Sequence, residues 1–448
     1  MDILSLFSCF SNLVAAWTRR QLVVISQAVL AMTGRITMLG ISRWTSKGGS
    51  YRTIQRFFGT VVPWTELFVK FFETHLFDPE REYILAGDET VVSKSGSETF
   101  GIDRLFSGLR GKVIKGLGFF VFSLVDTFQR KSYPLAVKQM VRSEAEKEAR
   151  KARKKKVGKK SKKRSKAKRG RKKGSRNQDK KEFKPSLELL RINALLVMLL
   201  KLIRKFIKVR YVALDGHFGH NQAMLMARSN DLHLISKMRY DAALYEKYEG
   251  TYSGRGKRKR YGEKLEYDKL PKKYIKKSNR ENDVITNYYQ GLFLHKEFGE
   301  QLNVVVIVKF NLKSGKVGRV ILFSSDVELG WEPLVDYYSL RFQIEFNFRE
   351  AKQHFGLEDF MLTSKTGVEN AANLSFMMVN VCEQLKKQSG GKCVSTNDLK
   401  THHRGVKYAV LTLKKVMKKA KPILINQIIE EISRLGSIHQ PNPATSSA

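Results

Sequence analysis

One carboxylate, Glu345, lies among cations at helical spacing in this sequence. If residues 337–355 form a helix of 100° per residue, five polar side chains fall within a sector of about 80°: Tyr338, Arg341, Glu345, Arg349 and Lys352. A carboxylate in such a row is able to bind a metal ion while the cations neutralise a bound polyanion. The same spacing also suits an exposed helix with ion pairs worth about 0.3–0.5 kcal/mol each.

The other face of this segment is apolar. Five side chains fall in a second sector, turned about 100° from the polar one: Leu340, Ile344, Phe348, Ala351 and Phe355. We therefore expect one helix over 337–355, which packs its apolar face against a core.

The order and spacing of the polar residues indicate which kind of chemistry this helix could perform. They fit the spacing Y-x2-R-x3-E-x6-K, and the flanking text from Leu322 to Phe360 reads as a strand, a turn and the helix. This pattern resembles the signature of the insertion-sequence-four family of DDE transposases. The resemblance implies a ribonuclease-H-like fold on which Glu345 is the last of three metal-binding carboxylates, the other two being aspartates.

Asp88 is the candidate for the first aspartate. Residues 83–88 form a short apolar run that reads as a buried strand ending in this carboxylate. A buried carboxylate costs several kcal/mol unless it is paired or holds a metal ion, and the adjacent Glu89 would point to the opposite face of the strand. The alternatives are a turn aspartate at 88 and the nearby Asp126. The resemblance favours Asp88, since the family carries its first carboxylate on the first strand.

Asp215 is the candidate for the second aspartate. An amphipathic helix over 187–208 leads into an apolar strand, 209–214, that ends at this carboxylate. A helix of this length between strands indicates a crossover between parallel strands, and ligand sites lie at the carboxyl ends of such strands. The family carries its second aspartate at the matching place. His217 and His220 follow, but no third His or Cys has the spacing of a zinc site.

The resemblance implies phosphodiester hydrolysis followed by strand transfer. Asp88, Asp215 and Glu345 would hold two Mg²⁺ ions, for which Mn²⁺ can substitute, without a small-molecule cofactor. Water would cut the DNA strand, and the freed 3′-hydroxyl would attack target DNA. Four signature side chains would contact DNA: Tyr338, Arg341, Arg349 and Lys352. The alternatives are a catalytically inactive DNA-binding protein derived from a transposase and a tyrosine recombinase, whose His and Arg spacing is missing from residues 402–404.

The start of the chain reads as helical to about residue 79. Residues 36–59 predict a helix, a turn containing glycine, and a second helix with Ser50 as its N-cap. That second helix would present Arg52, Gln55 and Arg56 outward, as a recognition helix does in the major groove. A structural bundle that only packs on the core is the alternative.

The composition points to a polyanionic partner. The 448 residues carry a net charge of +41, which favours nucleic acid, with a ribosomal or membrane-surface protein as the competing interpretation. About 17 of the 25 residues from Arg150 to Gly174 are Lys or Arg, so we predict a disordered basic insertion over 147–182. Three cysteines without metal-ligand spacing indicate a reducing compartment, and no membrane span is expected.

The resemblance also implies partners and a location. The expected ligands are double-stranded DNA at the terminal inverted repeats of the element and target DNA, bound by a homodimer on paired ends. The protein would be cytoplasmic, prokaryotic and associated with the nucleoid.

The expected architecture is α/β, with a ribonuclease-H-like catalytic core, a β-rich insertion, a helical N-terminal domain and a helical C-terminal segment. The predicted bounds follow the chain: 1–79 for the helical DNA-binding domain, 80–237 for the first part of the core, 238–324 for the β-rich insertion subdomain, 325–388 for the completion of the core with the signature helix, and 389–448 for the helical segment with a disordered tail.

Overall fold

The structure is a computed structural model that describes residues 3–45, 48–108, 110–161, 179–252, 254, 256–416 and 422–434. The chain divides into two compact units. Unit 1 comprises Met1–Gln139, Ala194–Val209 and Leu340–Ala448, and unit 2 comprises Met140–Asn193 and Arg210–Ser339.

The secondary structure alternates between helical and stranded stretches. The helices are α1 (Ile3–Leu6), α2 (Ala16–Ala31), α3 (Met38–Trp44), α4 (Tyr51–Gly59), α5 (Trp64–His75), α6 (Glu144–Ser161), α7 (Leu187–Ile203), α8 (Asn221–Ser229), α9 (Trp331–Leu340), α10 (Gln343–His354), α11 (Lys365–Gln388), α12 (Thr396–Val416) and α13 (Pro422–Arg434). The strands are β1 (Tyr83–Ser93), β2 (Asp103–Ser107), β3 (Lys112–Asp126), β4 (Lys131–Gln139), β5 (Tyr211–Leu214), β6 (His233–Met238), β7 (Leu244–Lys247), β8 (Tyr261–Lys264), β9 (Ile275–Glu281), β10 (Val284–His295), β11 (Gln301–Asn311) and β12 (Val317–Ser324).

Unit 1 is built on an antiparallel sheet of β1 to β4. The long strand β3 pairs along one edge with β1, from Ser93 opposite Gly116 to Tyr83 opposite Asp126, and along the other edge with β2 and β4. The part of β3 from residue 116 to its end is buried throughout. This burial on both faces explains why apolar residues there do not alternate with polar ones. Helices α5, α10 and α11 pack against β4.

The N-terminal helices are fixed to the later helices of unit 1 by buried polar side chains. Asn370 on α11 donates from Nδ2 to the carbonyl oxygens of Phe58 and Thr60, at 2.8 and 2.7 Å, and accepts from Trp64 Nε1 at 2.7 Å. It therefore satisfies carbonyl groups that the end of α4 leaves without helical partners. Helix α12 packs against α2 and α13.

The signature segment forms two helices, where the sequence predicted one. Helix α9 ends at Leu340 and α10 begins at Gln343, and the two residues between them form a tighter turn, in which the amides of Ile344 and Glu345 donate to the carbonyl oxygens of Arg341 and Phe342 at 3.2 and 3.0 Å. The apolar face is as predicted, since all five of its residues are buried. The prediction of one continuous helix was wrong, because the turn between α9 and α10 interrupts the rotation of 100° per residue between Tyr338 and Glu345.

Unit 2 contains a mixed sheet in the order β5-β6-β12-β11-β10-β7-β8, with β9 also paired to β10. Strands β5 and β6 are parallel and are connected through α8, whereas β6 and β12 are antiparallel. Strands β10 and β11 form a long hairpin with eleven residue pairs, from Val284 opposite Asn311 to Leu294 opposite Gln301. Six of the strands, β7 to β12, fall in the stretch that the sequence predicted to be β-rich.

Helix α6 covers part of the segment predicted to be disordered. Ser143 and Glu146 form a capping box, in which Ser143 N donates to Glu146 Oε2 at 2.7 Å and Glu146 N donates to Ser143 Oγ at 3.3 Å. This cap explains why a helix starts at Glu144 despite the basic composition, and it corrects the prediction for residues 147–161. The rest of the basic run, 162–178, lies outside the described residues, as does the tail after Arg434.

The fold class is α/β with a large mixed sheet, as the sequence predicted. Within the described part of the chain, no helix combines the length and the apolar character that a membrane crossing requires.

Candidate active site

Asp88 lies on β1 at the position where the strand stops being buried. The preceding residues 83–87 are all buried, whereas the side chain of Asp88 is 18% exposed. Its Oδ1 accepts a hydrogen bond from the amide of Glu89 at 2.8 Å, and its backbone is paired with Val121 on β3. The first predicted carboxylate is therefore held on a strand and reaches solvent.

Arg341 connects Asp88 to Glu345. Its Nη1 donates to Asp88 Oδ2 at 2.5 Å, and its Nη2 lies 3.8 Å from Glu345 Oε1. The Arg341 side chain is only 13% exposed, while the Glu345 side chain is 45% exposed. Two carboxylates that face one site repel each other, and a cation between them removes that cost. The structure thus brings together two of the three predicted carboxylates in unit 1, around one guanidinium.

Lys352 contacts the strand that carries Asp88. Its Nζ donates to the carbonyl oxygen of Val91 at 3.0 Å and lies 3.9 Å from Glu358 Oε1. Burial lowers the pKa of Lys352, an effect that Glu358 partly opposes. Arg341 and Lys352 therefore fix both ends of α10 to β1, a role that the sequence did not indicate for them.

Lys94 is a residue that the sequence patterns did not single out. It follows β1 by one position, and its Nζ donates to the carbonyl oxygens of Phe360 and Glu358 at 2.7 and 3.1 Å. Burial lowers its pKa to about 8, which the carboxylate of Asp359 partly opposes. The even spacing from Asp88 to Lys94 along an extended chain was the available signal, because it puts both side chains on one face.

Asp215 lies in unit 2, directly after the fully buried strand β5. Its Oδ1 accepts a hydrogen bond from the amide of His217 at 3.1 Å and so caps a short 3₁₀ helix, while its backbone oxygen accepts from Ser236 Oγ at 2.8 Å. A Cβ on Gly219 would lie 2.3 Å from the carbonyl oxygen of Lys237, so only glycine lets this turn approach β6. The second predicted aspartate is thus at the carboxyl end of a parallel strand, where ligand sites form.

The two histidines after Asp215 have local roles. His217 Nε2 lies 4.0 Å from Glu188 Oε2, and His220 caps α8 by accepting the amide of Ala223 on Nδ1 at 3.3 Å. Burial lowers the pKa of His220.

The other predicted DNA-contacting residues of the signature lie on α9 and α10. Tyr338 is half-buried on α9, and Arg349 is exposed on α10, with its guanidinium carbon 4.8 Å from the centre of the Phe346 ring. Phe346 also contacts Phe342 edge to face, with ring centres 5.7 Å apart.

The predicted recognition helix is α4. Ser50 is its N-cap and accepts the amide of Thr53 on Oγ at 3.4 Å. Ile54, Phe57 and Phe58 are buried on one side, and the three predicted DNA-contacting residues are exposed: Arg52, Gln55 and Arg56.

The donor set of the carboxylate pair suits a hard cation. Carboxylate oxygens are the ligands that Mg²⁺ and Mn²⁺ prefer, and the partial exposure of Glu345 leaves it accessible. Within the residues that the structure describes, no group of three or more His, Cys, Asp or Glu side chains is arranged to hold a metal ion.

The chain matches a known protein family over much of its length. A family described as DDE superfamily endonuclease matches residues 5–287, which include Asp88 and Asp215 and end before the signature segment. No curated protein matches the chain.

Proposed function

This chain belongs to the family of DDE superfamily endonucleases, and from that premise we propose that it is a DNA transposase of the cut-and-paste type. The family is one of nucleases and transposases that act on DNA and typically use divalent metal ions. The proposal is that this protein binds the ends of its own mobile element, cuts them by Mg²⁺-dependent hydrolysis and joins the 3′-hydroxyls to target DNA.

The observation that carries this proposal is the pair of carboxylates around Arg341. Asp88 and Glu345 are 257 positions apart in the sequence, yet both contact one guanidinium. A stable fold has no need of two carboxylates at this cation, because its pair with Glu345, whose side chain is 45% exposed, contributes only about 0–1 kcal/mol. A metal-dependent nuclease does need them, which favours a catalytic role for the pair.

We assign the third carboxylate to Asp215. It follows a parallel strand, as the second aspartate of the family signature does, and it lies within the residues matched by the endonuclease family. Mg²⁺ bound by Asp88, Asp215 and Glu345 would activate the attacking oxygen and stabilise the leaving oxygen at phosphorus.

The signature side chains on α10 and just before it would position the DNA. Arg341 would exchange part of its contact with Asp88 for a phosphate oxygen when the carboxylates bind metal, since a guanidinium has five N–H donors on three nitrogens. Lys352 would hold α10 on β1, and Arg349 and Tyr338 would contact the DNA backbone. Exposed Arg52, Gln55 and Arg56 on α4 would contact the element ends.

We further propose membership of the insertion-sequence-four group. The support is the spacing of Tyr338, Arg341, Glu345 and Lys352, which lies beyond the residues that the family match covers. A homodimer on paired ends and association with the nucleoid would follow from that membership.

The test is cleavage of a plasmid that carries the DNA flanking this gene. Purified wild-type protein is compared with Glu345→Gln in Mg²⁺ and in EDTA, and binding to the flanking DNA is measured in parallel. We expect cuts at the element ends only with wild-type protein and Mg²⁺, while Glu345→Gln still binds the ends.

Two outcomes would contradict the proposal. Cuts that survive in Glu345→Gln would remove Glu345 from the site. Binding without cuts by the wild-type protein would identify an inactive DNA-binding protein derived from a transposase.

A further inference from the structure

A groove in unit 2 combines strong positive charge with aromatic rings. Its volume is about 1210 Å³. The cations that line it come from three separate stretches of chain: Lys180 and Lys181, residues 257–260, and Lys296. Two carboxylates, Asp179 and Glu297, also line it. Seven cations against two acids in the described lining leave an excess of positive charge that a polyanion would neutralise.

Tyrosine rings lie between these cations. Tyr245 and Tyr261 contact each other edge to face, with ring centres 5.3 Å apart. Lys296 Nζ lies 5.0 Å from the centre of the Tyr245 ring, and the guanidinium carbon of Arg260 lies 5.9 Å from that of Tyr261. The lining therefore alternates ring faces with cations.

Specific contacts hold the stretches in place. The carbonyl oxygen of Lys180 accepts a hydrogen bond from Asn221 Nδ2 at 2.7 Å, and Lys180 Nζ lies 3.5 Å from the hydroxyl of Tyr261. The guanidinium of Arg260 donates to the carbonyl oxygen of Gly299. Strands β7 and β8 pair with Tyr245 opposite Lys264. These contacts hold the groove at Lys180, Arg260 and Tyr261, so binding there would not have to order those three positions first.

We propose that this groove holds a few nucleotides of a single DNA strand, with the phosphates on the cations and bases stacked on Tyr245 and Tyr261. A duplex keeps its bases stacked inside, so the ring faces would find no partner in it. A single strand has free base faces, and each base stacked on an aromatic ring contributes about 1–3 kcal/mol.

The proposal rests on the proposed function for the source of its ligand. Cutting one strand at an element end creates a strand end that can separate from its complement, and a site that binds the unpaired nucleotides would stop them from pairing again. The groove is separate from the three proposed metal-binding carboxylates, because none of them lines it.

The test measures binding of the full-length protein to labelled oligothymidine and to a duplex of the same length, in EDTA so that no cutting occurs. One variant removes groove charge, Lys257→Ala with Arg258→Ala, and another removes the rings, Tyr245→Leu with Tyr261→Leu. The control, Lys276→Ala with Arg280→Ala, removes the same two residue types from β9, where both are exposed and neither lines the groove.

We expect the ring variant to bind oligothymidine at least tenfold more weakly, with the duplex affected less than threefold. The charge variant should lower the slope of log affinity against log salt by about 0.7 for each single-strand phosphate that it no longer neutralises. The control should stay within twofold of the wild-type protein on oligothymidine.

A ring variant that binds oligothymidine as well as the control does would overturn the proposal, and so would equal losses on single strand and duplex. If the ring variant binds oligothymidine normally but the wild-type protein still cuts element ends in Mg²⁺, only the groove proposal is contradicted and the proposed function is not. Conversely, tight single-strand binding by a protein that cuts nothing would contradict the proposed function alone.

Discussion

At the scale of single residues, the candidate site depends on contacts that bring distant parts of the sequence together. The positions of Asp88 and Glu345 could be predicted from strand and helix patterns. The contact between Arg341 and Asp88 could not, because it joins side chains 253 positions apart and depends on how α10 packs on the sheet. The signature spacing predicted that Arg341 contacts DNA. The structure adds a second role, since Arg341 also pairs with the carboxylates of Asp88 and Glu345.

Arg341→Gln tests that second role. The glutamine keeps most of the side-chain length but leaves two carboxylates without their shared cation, so we expect the free energy of unfolding in EDTA to fall by about 1–3 kcal/mol. Mg²⁺ should then stabilise the variant more than it stabilises the wild-type protein. Thermal unfolding with and without Mg²⁺ measures both effects.

Arg349→Gln is the matched control for stability, because Arg349 is exposed on the same helix. Equal unfolding temperatures for the Arg341 variant and this control in EDTA would show that the pair contributes nothing to the fold.

His403 on α12 makes stability depend on pH. Burial lowers its pKa to about 4, with His402 adding to the effect, and its Nε2 is buried without a hydrogen-bond partner. The unfolded chain therefore binds this proton at a higher pH than the folded chain does, and stability falls as the pH drops from about 6.5 towards 4. His403→Leu should reduce this loss in the free energy of unfolding by up to about 3 kcal/mol.

The measurement is urea unfolding at several values of pH between 4 and 7. His217→Leu is the control, since His217 is 66% exposed. Parallel pH profiles for wild type and His403→Leu would rule out the buried imidazole as the cause.

At the scale of elements, polar side chains in apolar surroundings decide how the helices are placed. Asn347 lies in the buried part of α10, and its Nδ2 donates to Ser132 Oγ on β4 at 2.7 Å and lies 3.4 Å from Ser123 Oγ on β3. The apolar periodicity of α10 was predictable. The hydrogen bonds of Asn347 to the sheet were not, because an Asn on a helix does not indicate which hydroxyl group it will contact.

Asn347→Ala should loosen the helix that carries Glu345. Removing the amide leaves two buried hydroxyls without a donor and creates a small cavity, so we expect a loss of about 2–3 kcal/mol in the free energy of unfolding. Mg²⁺-dependent cutting should fall more than DNA binding does. Gln353→Ala, exposed on the same helix, should change neither, and a similar loss in this control would refute the role of Asn347.

Helix α6 shows that a local sequence signal can predict structure where composition does not. Composition predicted disorder there, because lysine and arginine provide no apolar face. The capping box at Ser143 and the ion pair between Arg191 and Glu146 lie at its start, and the spacing of Ser143 and Glu146 was visible in the sequence. Local capping signals are therefore a better guide than composition near the boundary of a charged run.

At the scale of the whole molecule, charge should dominate the affinity for DNA. The net charge of +41 includes ten Lys and Arg in residues 162–178. The β-rich stretch could be predicted from apolar strands and basic turns, and the fold class from the family resemblance, but the division of unit 1 among three stretches of chain could not, because no local pattern encodes it.

Replacing residues 162–178 by a Gly-Ser linker of equal length should flatten the salt dependence of DNA binding. Each duplex phosphate that the variant no longer neutralises lowers the slope by about 0.9, so the slope should fall by several units if the segment binds the backbone. Binding at a series of salt concentrations measures it. A shuffled segment that keeps the ten cations should retain the wild-type slope, and an unchanged slope with the linker would show that this segment does not touch DNA.

The three-part make-up of unit 1 has a consequence for how the protein is made. The ribosome completes β1 to β4 long before α10 and α11, which pack on β4. At about 5–20 residues per second, the roughly 200 residues between β4 and α10 take about 10–40 s to synthesise, and during that time β4 lacks its contacts with α10 and α11. A chain released early lacks both the partner of Asp88 and Asn370, which holds the end of α4. Premature termination would therefore yield a fragment that lacks Glu345 and the Asn370 hydrogen bonds to the end of α4.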